Sequence, residues 1–425
     1  MVARKVKLAV TAVLIAVCAC AQLPEVSFAA RRSSKTVGMT YGSIRQSSIQ
    51  SDGVLKEIQG STLGRAISSS KIEELARALK RGADVNKPYS DGTTPLMFAA
   101  GLEGMRPDML SMLIKAGARV NDKDSRGSTP LMHAAVSNQN PVIFRTLVKA
   151  GANVNDKDVI GMTPLLWAAF NNTNPEIIRT LADLGAKLDS RDDYTGESAV
   201  SHAALHNKNL EIIRTLVKLG ANVNDRDKTG RAVLMVAASQ VDNPEIIRTL
   251  VDLGAKLNDK DDMLGMTPLM WAASRNENPE ITRTLVNLGA KIDDRDIIGR
   301  TVLMCAAADS KNPEVIRTLV KLGAKVNDKS DKFGLNALIC AVTSNESPEI
   351  IRTLVKLGAK VNEKRKNGAT VLMIAANSTK NPDIITTLLE LGADPKAKGP
   401  RGVRAIDLAS KNKFLQGSDV ISKLR

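Results

Sequence analysis

From residue 61 onward the chain alternates two short bursts of apolar residues with polar turns, and the alternation repeats to the C-terminus. Residues 265–298 show one unit. Leu269, Ala272 and Ala273 stand at helical spacing, and Ile281, Leu285 and Leu288 do so again after a polar break. Each burst carries a start signal. Thr267-Pro268 offers a hydroxyl cap and then a proline at the first helical position, where its missing N–H costs nothing, and Asn278-Pro279-Glu280 begins the second burst in the same way. Gly289 ends that burst, as glycine does just past a helix C-terminus. The pattern predicts two helices, the second with a buried stripe of Ile281, Leu285 and Leu288. A short extended finger, Lys291 to Ile298, follows and leads to Gly299.

The unit recurs at a fixed interval. Gly-Ala stands at 82, 117, 151, 185, 220, 254, 289, 323, 358 and 392, always 34 or 35 residues apart. A period in this range marks one supersecondary element stacked many times rather than a single globular core. Such a stack offers a long surface for a partner and no obvious place for chemistry. Gly127, Gly196, Gly265 and Gly334 are spaced by 69, because alternate fingers, those before Gly196, Gly265 and Gly334, are one residue longer. Part of the array therefore reads as copies of a repeat pair.

Thr-Pro-Leu stands at 94–96, 129–131, 163–165 and 267–269, Ala-Ala at eight repeat-equivalent positions from 99–100 to 375–376, and Glu-Ile-Ile at 176–178, 211–213, 245–247 and 349–351. With the Gly-Ala pairs, this resembles the ankyrin repeat. The resemblance covers residues 61 to 425, with a capping repeat at 61–91, nine full repeats from Gly92 to Arg401 and a C-terminal cap at 402–425. It implies an all-α solenoid with short β-hairpin-like fingers, about 11 repeats including both caps. Two departures stand out. The histidine that follows Thr-Pro-Leu in the family is replaced, by Met97, Met132, Met235, Met270, Met304 and Met373 among others, so packing should replace its hydrogen bonds. The period also exceeds the family's usual one, with one extra residue between the two helices.

The N-terminus is a different object. Arg4, Lys5 and Lys7 precede an apolar run from Leu8 to Ala21, Pro24 breaks it, and Ser27-Phe28-Ala29 places small residues where a signal peptidase reads them. The run is short for a bilayer span, so the expectation is a secretory signal, residues 1–29, cleaved after Ala29, and no transmembrane segment once it is removed. Val17-Cys18-Ala19-Cys20 loosely resembles a bacterial lipobox, and lipid anchoring through Cys20 is the alternative. Residues 30–60, Ser-rich and basic toward their start, are expected to be a disordered linker before an ankyrin domain at 61–425.

Charge and cysteine usage change the picture little. The formal net charge is +15, but the basic residues are spread among 45 acidic ones, and only clustering would argue for nucleic acid. Of the four cysteines, Cys305 and Cys340 lie in the repeats at equivalent sites of neighbouring units. Packed helices sit farther apart than a disulfide spans, so both are expected as buried thiols.

Several constellations resemble chemistry. His202 and His206 stand at i and i+4, the spacing of a metal pair, but no glutamate follows His202, and His133 is two repeats away. Two ligands without a third point to no metal site. Asp122 and Asp124, like Asp225 and Asp227, mimic the opening of a calcium loop whose later ligands are missing. One arginine per repeat (Arg145, Arg179, Arg214, Arg248, Arg283, Arg317, Arg352) forms a ladder on the second helices. A glutamate precedes most of them by three residues and offsets the charge. Phe98, His133, Trp167, Trp271, Cys305 and Cys340, each just before Ala-Ala, read as core between helices. No nucleophile–base set or phosphate-cradling loop stands apart from the repeat, so no catalytic residue, cofactor or metal is expected.

The fingers are the exception. Their tips carry Val159, Ile160, Tyr194, Met263, Leu264, Ile297, Ile298 and Phe333 where turns are normally polar. Ankyrin families grip proteins with these tips and with the concave ends of the first helices, here Phe170, Asn171, Leu205, His206, Ser239, Gln240, Ser274 and Arg275. The resemblance thus implies a non-catalytic scaffold that binds another protein; a monomer is expected, and the signal segment places its work in the periplasm or outside the cell. The alternative is electrostatic attachment of the arginine ladder to an anionic surface or nucleic acid.

Overall fold

The structure, a computed structural model, describes residues 52–330, 333–365 and 367–425. The signal segment 1–29 and the linker up to residue 51 lie outside the described residues. The end of the stretch read as linker is helical: Asp52–Gly60 forms a helix with Ile58 buried, and the Ser90 amide donates to Glu57 Oε2 at 3.0 Å. Of its three apolar residues, Val54, Leu55 and Ile58, only Ile58 is buried, too short a stripe for periodicity to register.

Among the described residues the chain forms 23 α-helices and no strand, in short pairs that make an all-α repeat solenoid. The fingers contribute only isolated antiparallel bridges, such as Arg191 to Ser198 and Arg295 to Thr301. The helix starts follow the caps in the sequence. Thr267 Oγ1 accepts from the Met270 amide at 3.3 Å, and Asn278 Oδ1 accepts from the Glu280 amide at 3.0 Å, so the first helix runs Pro268–Arg275 and the second Pro279–Asn287. The stripe on that second helix differs from its pattern. Ile281 and Leu285 are fully buried, but Thr282 and Thr284 accompany them and Leu288 is only half-buried. Leu288 is the C-cap residue, past the last turn that faces the neighbouring helix.

The six methionines that replace the family histidine are all at most 2 % exposed, so packing does replace hydrogen bonds there. Polar links between repeats arise elsewhere. Asn172, fully buried, donates from Nδ2 to the carbonyls of Ala135 (3.1 Å) and Asn138 (2.9 Å), and its Oδ1 accepts from the Asn174 amide. Asn174 in turn caps its own helix and donates to Gln139 O. Asn138, Asn207, Asn276, Asn345 and Asn412 repeat the first arrangement. The extra residue between the helices thus lies in an Asn-x-Asn turn that satisfies carbonyls left open at helix C-termini. A second set works at the finger bases: Asn155 donates to Gly185 O and accepts from the Lys187 amide.

The described chain divides into two compact units. One comprises residues 52–233 with 249–255, and the other 234–248 with 256–425. In the first, the leading helices Pro95–Gly101, Pro130–Ser137, Pro164–Asn171 and Ala199–His206 pack in succession, each beside its own second helix. The second repeats the scheme with Pro268–Arg275, Val302–Asp309, Ala337–Ser344 and Val371–Ser378, and the short helices Ala405–Ala409 and Val420–Lys423 cap it. Cys305 and Cys340 are buried free thiols.

Candidate functional site: the finger row and the ends of the first helices

Six fingers turn on one inward carboxylate, Asp124, Asp158, Asp192, Asp227, Asp261 or Asp296, whereas Ser330 takes that place before Gly334. Asp124 Oδ1 accepts from the amides of Arg126 and Ser128, and Asp158, Asp227 and Asp296 hold their fingers in the same way. At Asp124, Asp158 and Asp261 the second carboxylate oxygen reaches the residue just before Ala-Ala. His133 Nε2 lies 3.0 Å from Asp124 Oδ2, and the indole N–H groups of Trp167 and Trp271 donate to Asp158 and Asp261, both at 2.9 Å. Burial pushes the Asp158 carboxyl up from its ordinary range. At Asp124 the same burial is outweighed by the His133 contact and backbone donors, and the carboxyl is held down. The assorted row that reads as core in the sequence is therefore also a set of bolts between helix and finger. In the calcium-like openings Asp124 spends its oxygens on such a bolt, Asp227 pairs with Arg231 at 2.7 Å and Asp225 pairs with Arg191 at 2.9 Å.

Neighbouring fingers are stitched by their backbones. Val159 N donates to Arg126 O, Asp193 N to Ile160 O, Lys228 N to Thr195 O and Ile297 N to Leu264 O, at 3.0–3.1 Å. The stitches fix which tip residue faces out. Val159 is 72 % exposed, Tyr194 54 %, Met263 58 % and Ile297 56 %, whereas Ile160, Leu264, Ile298 and Phe333 are half-buried. Val159 and Ile297 also lie over the glycine of the preceding finger, where a Cβ on Gly127 would come within 3.3 Å of Val159 Cγ1 and one on Gly265 within 2.8 Å of Ile297 Cγ2. Of the six large apolar residues exposed among the described residues, four are these tips.

The residues assigned to the concave ends divide. Asn171, Leu205, His206 and Arg275 are half-buried and Gln240 is exposed. Phe170, Ser239 and Ser274 are buried and so present no contact surface, a correction to the sequence reading. Phe170 fills the space between Trp167 and His206, with ring centroids 5.8 and 4.4 Å away, and Ser239 turns its hydroxyl to Val236 O.

The arginine ladder is tied down within the fold. Arg179, Arg248, Arg283 and Arg317 pair with the glutamate three residues earlier at 2.8–3.3 Å, and Arg352 pairs with Glu390. Arg145, Arg214, Arg317 and Arg352 also donate to a threonine hydroxyl on the next second helix. Exposed pairs of this kind contribute little stability, but they spend the cations on neighbours.

A family model for ankyrin repeats in three copies matches residues 63–158, 143–227, 165–261, 234–330 and 307–399. The chain belongs to the ankyrin-repeat family. Ankyrin-repeat proteins are generally non-enzymatic interaction scaffolds, so a protein-binding module is the coarse function that comes with the fold. No curated protein matches this ankyrin array. No helix among the described residues is long and apolar enough to cross a membrane.

The sequence reading missed one grouping in the array. Glu197, His202 and His206 bring their ligand-type atoms within 4.8 Å of one another. His202 is fully buried, with Nε2 3.3 Å from Asp192 Oδ2 and Nδ1 3.9 Å from Glu197 Oε2. The signal lay in the residue after each finger glycine. Elsewhere that position is Thr93, Ser128, Met162, Arg231, Met266, Arg300, Leu335, Ala369 or Val403, and only here is it a carboxylate.

Proposed function

We propose that this ankyrin array is an exported, non-catalytic scaffold that holds a partner protein against its finger tips and the accessible ends of its first helices. The observation that carries the reading is the set of outward tips, Val159 and Tyr194 in one unit and Met263 and Ile297 in the other, large apolar groups held on stitched fingers. Isolated exposed apolar residues are ordinary, but a row at one repeat position gives the kind of rigid anchors on which interfaces concentrate their energy. Asn171, His206, Gln240 and Arg275 supply a polar border that would tune specificity, with Leu205 an apolar member among them. Export rests on the basic-then-apolar N-terminus with its small-residue cleavage site.

The experiment replaces Val159, Tyr194, Met263 and Ile297 together by aspartate and compares partner capture from the native compartment. The variant is expected to keep its helical circular dichroism, since all four side chains face solvent, and to lose the partner that the parent protein retains. The captured parent chain should have the intact mass of a protein beginning at Ala30. Undiminished capture by the folded variant, or an intact N-terminus on the exported protein, would count against the corresponding half of the reading.

A further inference from the structure

We propose that Glu197, His202 and His206 form a binding site for one divalent transition-metal ion of the zinc class. Three repeat positions that vary independently take ligand types together in this one unit. The position before Ala-Ala is Trp167 one repeat earlier and Val236 one repeat later, and the position four further on is Asn171 and Gln240. Here they are His202 and His206, one helical turn apart on Ala199–His206, and the residue after the finger glycine is Glu197.

The geometry is close to what an ion needs. Tetrahedral zinc with bonds of about 2.1 Å holds its ligand atoms about 3.4 Å apart. The three atoms lie within 4.8 Å of one another, so small rotamer adjustments close the set. Asp192 supplies the orienting partner that metal-bound histidines characteristically have. It is fixed by the amides of Tyr194, Thr195 and Glu197 and by the Thr195 hydroxyl, and it faces His202 Nε2. Nε2 of His202 lies on the Asp192 side, 3.3 Å from Oδ2, and Nδ1 is the ring atom on the Glu197 side, 3.9 Å from Oε2. The walls are apolar on the Phe170 side, whose ring lies 4.4 Å from His206. The nearby Arg231 and Asp227 pair with each other at 2.7 Å. A neutral imidazole is the ligand form of histidine, and both rings sit on one face of the same helix one turn apart. Two imidazoles and one carboxylate select zinc, copper or nickel over calcium or magnesium, which require mostly oxygen ligands. Half-buried His206 gives the ion a way in and leaves a fourth position for water.

The chain has three histidines, so His133, bolted to Asp124, serves as an internal control. Untagged full-length protein, stripped with a chelator, is titrated with Zn2+ against a chromophoric competitor, and in parallel with Co2+ while the histidine ring signals are followed by NMR. The expected result is one saturable equivalent of Zn2+ and loss of the His202 and His206 signals with Co2+ while His133 is spared. His206→Gln and Glu197→Gln should each weaken Zn2+ binding roughly tenfold or more. Absence of saturable binding, equal broadening of all three histidines, or unchanged affinity in both variants would overturn the site. The histidine signals read the unmodified chain, so the test survives a variant that fails to fold.

Discussion

Replacing Asn172 by alanine is expected to destabilise the surrounding repeats by about 3–4 kcal/mol, a large effect for one uncharged side chain. The side chain is fully buried and makes three hydrogen bonds, to the carbonyls of Ala135 and Asn138 and from the Asn174 amide. Alanine leaves all three partners unsatisfied away from water, at about 1–3 kcal/mol each before relaxation. In a stack of repeats, stability is a sum of unit and interface contributions, so the loss falls on the coupling between adjacent units. Urea unfolding followed by circular dichroism should show a lower midpoint and a broader or split transition. Asn155→Ala removes the analogous bonds at a finger base near the surface and should cost only about 1 kcal/mol. Equal midpoints for the two variants would show that the buried turn is not what ties the repeats together.

Gly161→Ala should cost about 2–4 kcal/mol, for two separable reasons. Gly161 has φ +81°, a region that side chains disfavour, and a Cβ there would lie 2.4 Å from the backbone nitrogen of Asp193. That nitrogen makes the stitch to Ile160 O, so the methyl group must push the two fingers apart. Gly151→Ala is the matched control: φ is +99°, but nothing lies within 4 Å of its Cβ, so only the backbone strain of roughly 1 kcal/mol remains. Thermal unfolding gives the two differences, and hydrogen exchange at the Asp193 amide reports the stitch directly, with faster exchange expected only in Gly161→Ala. Identical losses in the two variants would mean that finger contact adds nothing to strain.

Much of the fold was legible because the repeat writes its punctuation many times over. Thr-Pro and Asn-Pro starts and Gly-Ala stops locate the helices nearly to the residue, as the caps at Thr267 and Asn278 show. Periodicity reports which positions are apolar and is silent about where backbone carbonyls end up. The extra residue between the helices was therefore visible as a length, while its use in the Asn172 arrangement was not. The same limit hid the finger bolts, since Asp158 and Trp167 are nine residues apart and belong to no common helical face. At the candidate surface the tips were identified as a class, but which member of each pair faces out depends on the stitch, which exposes Val159 and half-buries Ile160. Phe170 was misplaced because its position looks surface-facing until the His206 ring beside it is known. Glu197 escaped because it precedes the helix of its two histidines and meets them across the turn.

The central claim, that the finger tips are the docking surface, is tested most directly by a photo-crosslinking residue placed in turn at Tyr194, Met263 and Val142. Val142 is also an exposed apolar side chain, 46 % accessible, but it stands at the start of a second helix, away from the fingers. On irradiation in the native compartment, a partner adduct is expected from Tyr194 and from Met263, and none from Val142. An adduct from Val142 with neither tip reacting would contradict the assignment and move the interface to the second helices.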